Sequence, residues 1–134
     1  MNLNTIKLDD LADNIFSEIA KEAADFISPI PNERGRTVDV NKSAQLRKFY
    51  DELVMWHDKV LRVDDRAEAY RQAAPFIQML KAKAAYSQGR GHIDKNFVDV
   101  FNKIISQINS PETLKNAKLF FEAVLGFRKA SEQK

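Results

Sequence analysis

Apolar residues recur along this chain at three- and four-residue spacing, the signature of one buried face on a helix. Alternating runs and Asn-Gly or Asp-Gly hairpin signals do not occur. The stretch at residues 76–91, FIQMLKAKAAYSQGRG, organises the reading. Phe76, Ile77, Leu80 and Ala84 form a core stripe on one helix. Met79, Lys83, Tyr86 and Arg90 form a second line on a neighbouring face, and Gly89-Arg90-Gly91 ends the helix.

The same pattern places the other helices. Leu11, Ile15, Ile19, Ala23, Phe26 and Ile27 predict a first helix that starts at Asp9 or Asp10 and stops at Ser-Pro-Ile-Pro, residues 28–31. An exposed loop over 29–41 follows. Its Arg34-Gly35-Arg36 element is within reach of a phosphate but is read as solvated linker. Asn41 or Ser43 caps a second helix with the stripe Leu46, Phe49, Tyr50, Leu53, Trp56, Val60 and Leu61. A turn near Asp64-Asp65 leads into a charged helix, and Pro75 predicts a kink or short break before the organising stretch. Asp94 caps a helix that buries Phe97, Phe101, Ile104, Ile105 and Ile108. Ser110-Pro111-Glu112 starts a last helix carrying Leu114, Ala117, Phe120, Phe121, Val124, Leu125 and Phe127, with Arg128, Lys129 and Lys134 in its tail. The fold class is all-α: a single-domain bundle of about five main helices.

Composition narrows the class. A chain of 134 residues fits one domain. It has no cysteine, which excludes disulfides and thiolate metal sites. No signal peptide or membrane-spanning run is evident, so the expected location is cytoplasmic. Net charge is +2, but it is unevenly spread. Residues 1–28 carry two Lys against six Asp and Glu, a balance of −4, so the remainder is +6. Such a split fits a polyanion partner for the later part, or subunits that stack with opposite charges facing.

Chemistry is sparse. Of the two histidines, His57 reads as a boundary residue beside Trp56 and Asp58, and His92 as exposed. Zincin, nucleophile-elbow, phosphate-loop and dinucleotide motifs are missing, and adjacent acids such as Asp51-Glu52 point apart on a helix. The expectation is therefore no catalytic residues, no metal and no cofactor. Basic side chains on helix faces and ends point to binding instead: Arg47, Lys48, Lys81, Lys83, Arg90, Lys95, Lys115, Lys118, Arg128 and Lys129. Lys and Arg held at strand-matching spacing contact phosphates without reading sequence.

Three stretches in order, AQLRKFYDEL at 44–53, FIQMLKAKAAYSQGR at 76–90 and FFEAVLGFRKA at 120–130, resemble the small subunit of the type III-A CRISPR effector, the Csm complex. The resemblance implies a five-helix protein that stacks in several copies beside the guide–target duplex for antiviral defence. It implies guide RNA, target RNA, the backbone and large subunits, and copies of itself as partners. Cutting belongs to other subunits, and base pairing reads the sequence. Carried onto the matching segments, it implies RNA-backbone contacts at Arg47, Lys48, Lys81, Lys83, Arg90, Arg128 and Lys129. Leu46, Leu80, Tyr86, Glu122 and Ala123 are read as shared for packing, with Glu122 pairing a basic group such as Arg47 or Arg90. Gly126 departs from the family pattern. The rival readings are the type III-B small subunit, a helical adaptor that binds only protein, and, more distantly, an enzyme.

Overall fold

The structure, a computed structural model, describes residues 1–29 and 39–132. Arg34-Gly35-Arg36, most of the expected loop, and Lys134 lie outside the described residues. Those described form helices and no strands. A 3-10 turn at Leu3–Thr5 and a π-helical turn at Ile15–Ile19 precede α1 (Ala20–Phe26). Then come α2 (Ser43–Leu61), α3 (Arg66–Gln78), α4 (Leu80–Gly89), α5 (Lys95–Ser106) and α6 (Pro111–Glu132). Only Met79 separates α3 from α4, so the two count as one interrupted rod and the main helices number five.

The first helix starts later than its stripe predicts. Residues 6–8 are not helical: Ile6 is extended, Leu8 lies at a bend, and both side chains are fully buried. Side chains, rather than a helix, satisfy this backbone. Leu8 N–H donates to Gln107 Oε1 at 2.9 Å, Gln107 Nε2 donates to the Ile6 carbonyl at 2.7 Å, and Asn116 Nδ2 donates to the Leu8 carbonyl at 2.9 Å. With those groups paired, the acidic stretch that follows has no need to be helical. Leu11, expected in the core, is 42% exposed.

Three helix starts follow the local chemistry closely. Asp65 Oδ1 accepts the Glu68 N–H at 3.1 Å, and Asp94 Oδ1 accepts the Phe97 N–H at 3.0 Å. At α6, Ser110 and Thr113 cap each other: Thr113 N–H donates to Ser110 Oγ at 3.1 Å, and Ser110 N–H donates to Thr113 Oγ1 at 2.9 Å. This is a capping box with a hydroxyl in place of the usual carboxylate. At α2 neither expected cap acts: the N-cap is Lys42, without a side-chain bond. Asn41 is instead buried at a left-handed φ of 55°.

Pro75 lies inside α3 and causes no break at its own position. Arg71 and Pro75 are both exposed, so the carbonyl that the proline cannot serve lies on the solvent side. The interruption falls at Met79, whose N–H still reaches the Pro75 carbonyl at 3.1 Å. Residues 76–91 are thus not one helix. The core stripe keeps Ile77, Leu80 and Ala84 but loses Phe76, which is 54% exposed.

α6 lies between α1 and α2, α3 packs on α2, and α4 packs on α5. The centre is aromatic. Phe101 sits 5.2 Å from Phe49, 5.5 Å from Phe97 and 5.8 Å from Phe121 between ring centroids, which joins α2, α5 and α6. Helix α6 runs unbroken through Gly126, an exposed position where an added Cβ meets nothing within 4 Å. Gly126→Ala is therefore expected to stabilise the protein by about 1 kcal/mol, read as a higher urea midpoint with an unchanged m-value.

Candidate nucleic-acid interface

The basic candidates divide by their place in the fold. Arg47 and Lys48 are exposed on the first turns of α2. Arg47 shares a cleft of about 360 Å³ with Lys129, between the start of α2 and the end of α6. The first and third sequence motifs therefore meet in space. Arg47 is held by Asp51, Nε to Oδ1 at 3.0 Å, and its guanidinium carbon lies 5.7 Å from the Tyr50 ring centroid.

The second motif joins from the other side of α2. Lys83 Nζ donates to Glu52 Oε2 at 2.9 Å, and Asn41 N–H donates to the His92 carbonyl at 3.0 Å. These two ties run α4 antiparallel to the first half of α2, and Lys48 lies one helical turn before Glu52 on α2. Lys48 and Lys83 thus lie along one seam beside Glu52, with Arg90 two residues from the His92 tie at the start of α2. Arg90 Nη1 donates to Tyr86 Oη at 3.2 Å, with its guanidinium carbon 5.8 Å from the ring centroid. Tyr86 is 67% exposed, so it is a displayed ring and not the packing residue that the sequence reading made it. Lys81 is half-buried and, two residues from Lys83, points away from the seam.

Arg128 lines the wall of the cleft that Arg47 and Lys129 share, but its guanidinium is turned inward. It is 6% exposed, and its guanidinium serves two carbonyls: Nη1 donates to Ile27 at 2.9 Å and Nη2 to Asn41 at 2.8 Å. Helical spacing places Arg128 one residue from the exposed Lys129 but around the helix toward the core, which removes it from reach of a phosphate. Asn41 completes the node. Its Nδ2 donates to the Ile27 carbonyl at 2.9 Å and to Asp94 Oδ1 at 2.8 Å, and its Oδ1 accepts the Asp94 N–H at 3.0 Å. The end of α1 and the starts of α2 and α5 are thereby fastened to the end of α6. Sequence reasoning saw Asn41 only as a cap, because nothing in its neighbours marks a left-handed, buried position.

Glu122 also has different partners from those expected. It accepts from Tyr50 Oη at 2.8 Å and from Lys118 Nζ at 2.7 Å, not from Arg47 or Arg90. The Lys118 and Tyr50 hydrogen bonds hold its carboxyl below the usual range, while burial and the Glu122 contact push the Tyr50 phenol up. His57 keeps its boundary place, 19% exposed, with Nδ1 donating to Asp58 Oδ1 at 2.9 Å, and that bond lowers the Asp58 carboxyl. Carboxyls depressed in the fold contribute stability above their unfolded pKa and lose it as pH falls through the native one. The melting temperature is expected to be flat above about pH 5 and to fall below it. Glu122→Gln with Asp58→Asn should shallow that acid limb.

The fold and this surface define a class: a small all-helical protein that displays basic groups along two helix seams. Among the described residues no helix is long and apolar enough to cross a membrane, and no group of three or more acidic or histidine side chains is placed to hold a metal ion. Residues 13–134 match the family model described as Csm2 Type III-A. The chain belongs to that family, and so is a small subunit of the type III-A CRISPR complex, a member of an assembly with other Csm subunits. The match begins well before the first of the three motifs, so it takes in part of the N-terminal region that none of them covers. Comparisons with curated proteins and with solved structures find no match.

Proposed function

We propose that this subunit binds the phosphate backbone of the guide–target RNA through Arg47, Lys48, Lys83, Arg90 and Lys129, and that copies align along the RNA. It takes no part in cutting. Sequence recognition is left to base pairing, the division of labour of RNA-guided effectors. One observation carries the reading. The first half of α2 gathers basic groups from three segments far apart in sequence, Lys129 on its α6 side and Lys83 and Arg90 on its α4 side. The ion pairs made by Arg47 and Lys83 do not oppose this role. Both are exposed, such pairs contribute about 0–1 kcal/mol, and a phosphate can replace the carboxylate.

The test compares two variants of the full chain for binding single-stranded and duplex RNA, alone and in the assembled complex. The expected result is weaker binding for both Arg47→Ala/Lys48→Ala/Lys129→Ala and Lys83→Ala/Arg90→Ala, uniformly across RNA sequences. Lys81→Ala, off the seam, should bind nearly as the parent does. Unchanged binding in both multiple variants contradicts the proposal and favours an adaptor that touches only protein.

A further inference from the structure

Large apolar side chains left exposed among the described residues are Leu11, Met55, Val63, Phe76, Met79 and Tyr86. Three of them, Met55, Phe76 and Met79, line one face where α2 passes α3 and the start of α4. The Phe76 ring stacks on Trp56, centroids 5.5 Å apart and planes 12° from parallel. This pair stands as a ridge between two shallow hollows of about 340 and 290 Å³. Lys59 edges one hollow, its ammonium 5.2 Å from the Trp56 centroid, and Lys83 edges the other. Residues 55–91 carry seven Lys and Arg against four Asp and Glu. A contiguous patch with two thioethers suits a protein surface, because methionine adapts to its partner's shape.

A complementary surface exists on the same chain. Leu11 stands exposed among Asp9, Asp10 and Asp13, all exposed, in the part of the chain whose balance is −4. The two surfaces do not meet within one molecule. Gln107, at the end of α5, reaches out to the N-terminal segment, while Gln78 reaches α5 from α3 by donating to the Ile105 carbonyl at 2.9 Å. Both bonds fall at the end of α5, and no residue of the N-terminal segment lines either hollow.

We propose that the Leu11 knob of one copy docks on the Met55–Phe76–Met79 face of the next, with Asp9 and Asp13 toward Lys59. Two different surfaces in contact make a head-to-tail arrangement, which leaves a free knob at one end and a free face at the other and so continues along a row. The inference rests on the self-association in the proposed function and assigns the surfaces that make it.

The chain has no cysteine, so introduced thiols are the only ones on it. Leu11→Cys and Met79→Cys full-length proteins, both changed at exposed positions, are mixed and oxidised, first alone at high concentration and then in the assembled effector complex. The expected product is the mixed dimer, in clear excess over either homodimer. Lys59→Glu in the Met79→Cys partner should lose it, and Asp13→Lys in the Leu11→Cys partner should restore it. Homodimers forming as readily as the mixed product overturn the proposal, as does a disulfide from position 79 to another subunit. Wild-type self-association without the mixed product sinks this contact alone. Absence of self-association in both settings sinks it together with the alignment of copies, while RNA binding stands on its own variants.

Discussion

Phe101→Ala is expected to destabilise the protein by about 4 kcal/mol. Phe101 is fully buried and shares ring contacts with Phe49, Phe97 and Phe121, so truncation removes the centre of the aromatic cluster that joins α2, α5 and α6. The loss combines transfer free energy with a cavity that three large rings, fixed on separate helices, cannot fill by small shifts. Against a typical total of about 5–15 kcal/mol for a domain, this is a large fraction. Urea unfolding followed by circular dichroism reads it directly. Phe76→Ala is the control: the same residue type at helical spacing, but on the outer face, expected to cost under about 1 kcal/mol. Equal losses at the two positions would contradict the packing described.

Arg128→Met is the second large effect, about 3 kcal/mol. The substitution keeps a long apolar stem but removes the donors to the Ile27 and Asn41 carbonyls, leaving buried acceptors without those partners. Arg128→Lys should recover little, because one ammonium cannot reproduce a planar fork that spans two carbonyls. The neighbouring Lys129→Ala should leave stability within about 0.5 kcal/mol of the parent, as surface changes usually do, while weakening RNA binding. The opposite pattern, with Arg128 neutral for folding and Lys129 costly, would reverse the roles assigned to the two residues.

The contrast between these two adjacent basic residues shows how far the sequence could be read. Period and capping chemistry located the later helices well, because Asp94, Ser110 and Pro111 act locally and the stripes of α5 and the first four turns of α6 bury as written. Failures occurred where a distant partner outweighed a local rule. Gln107 and Asn116 pair the backbone at Ile6 and Leu8 outside any helix, and the helical-looking stripe at Leu11 does not form a helix there. Phe76 fits the stripe by spacing yet lies past its edge, where Trp56 gives it a ring to stack on. In the site, residue type identified the basic candidates, but only the fold separates exposed Arg47, Lys48, Lys83, Arg90 and Lys129 from buried Arg128 and half-buried Lys81. The node at Asn41 has no sequence signature, since a left-handed asparagine is defined by contacts with residues 14 and 53 positions away.

The central claim, backbone contact through five basic side chains, is tested most directly by RNA affinity across a salt series. Each phosphate contact on a single strand contributes about −0.7 to the slope of log K against log salt. The expected slope is about −3.5 for the parent on single-stranded RNA of any sequence, shallower by about 1.4 in Lys83→Ala/Arg90→Ala. A slope near zero in the parent, or the same slope in parent and variant, would contradict it.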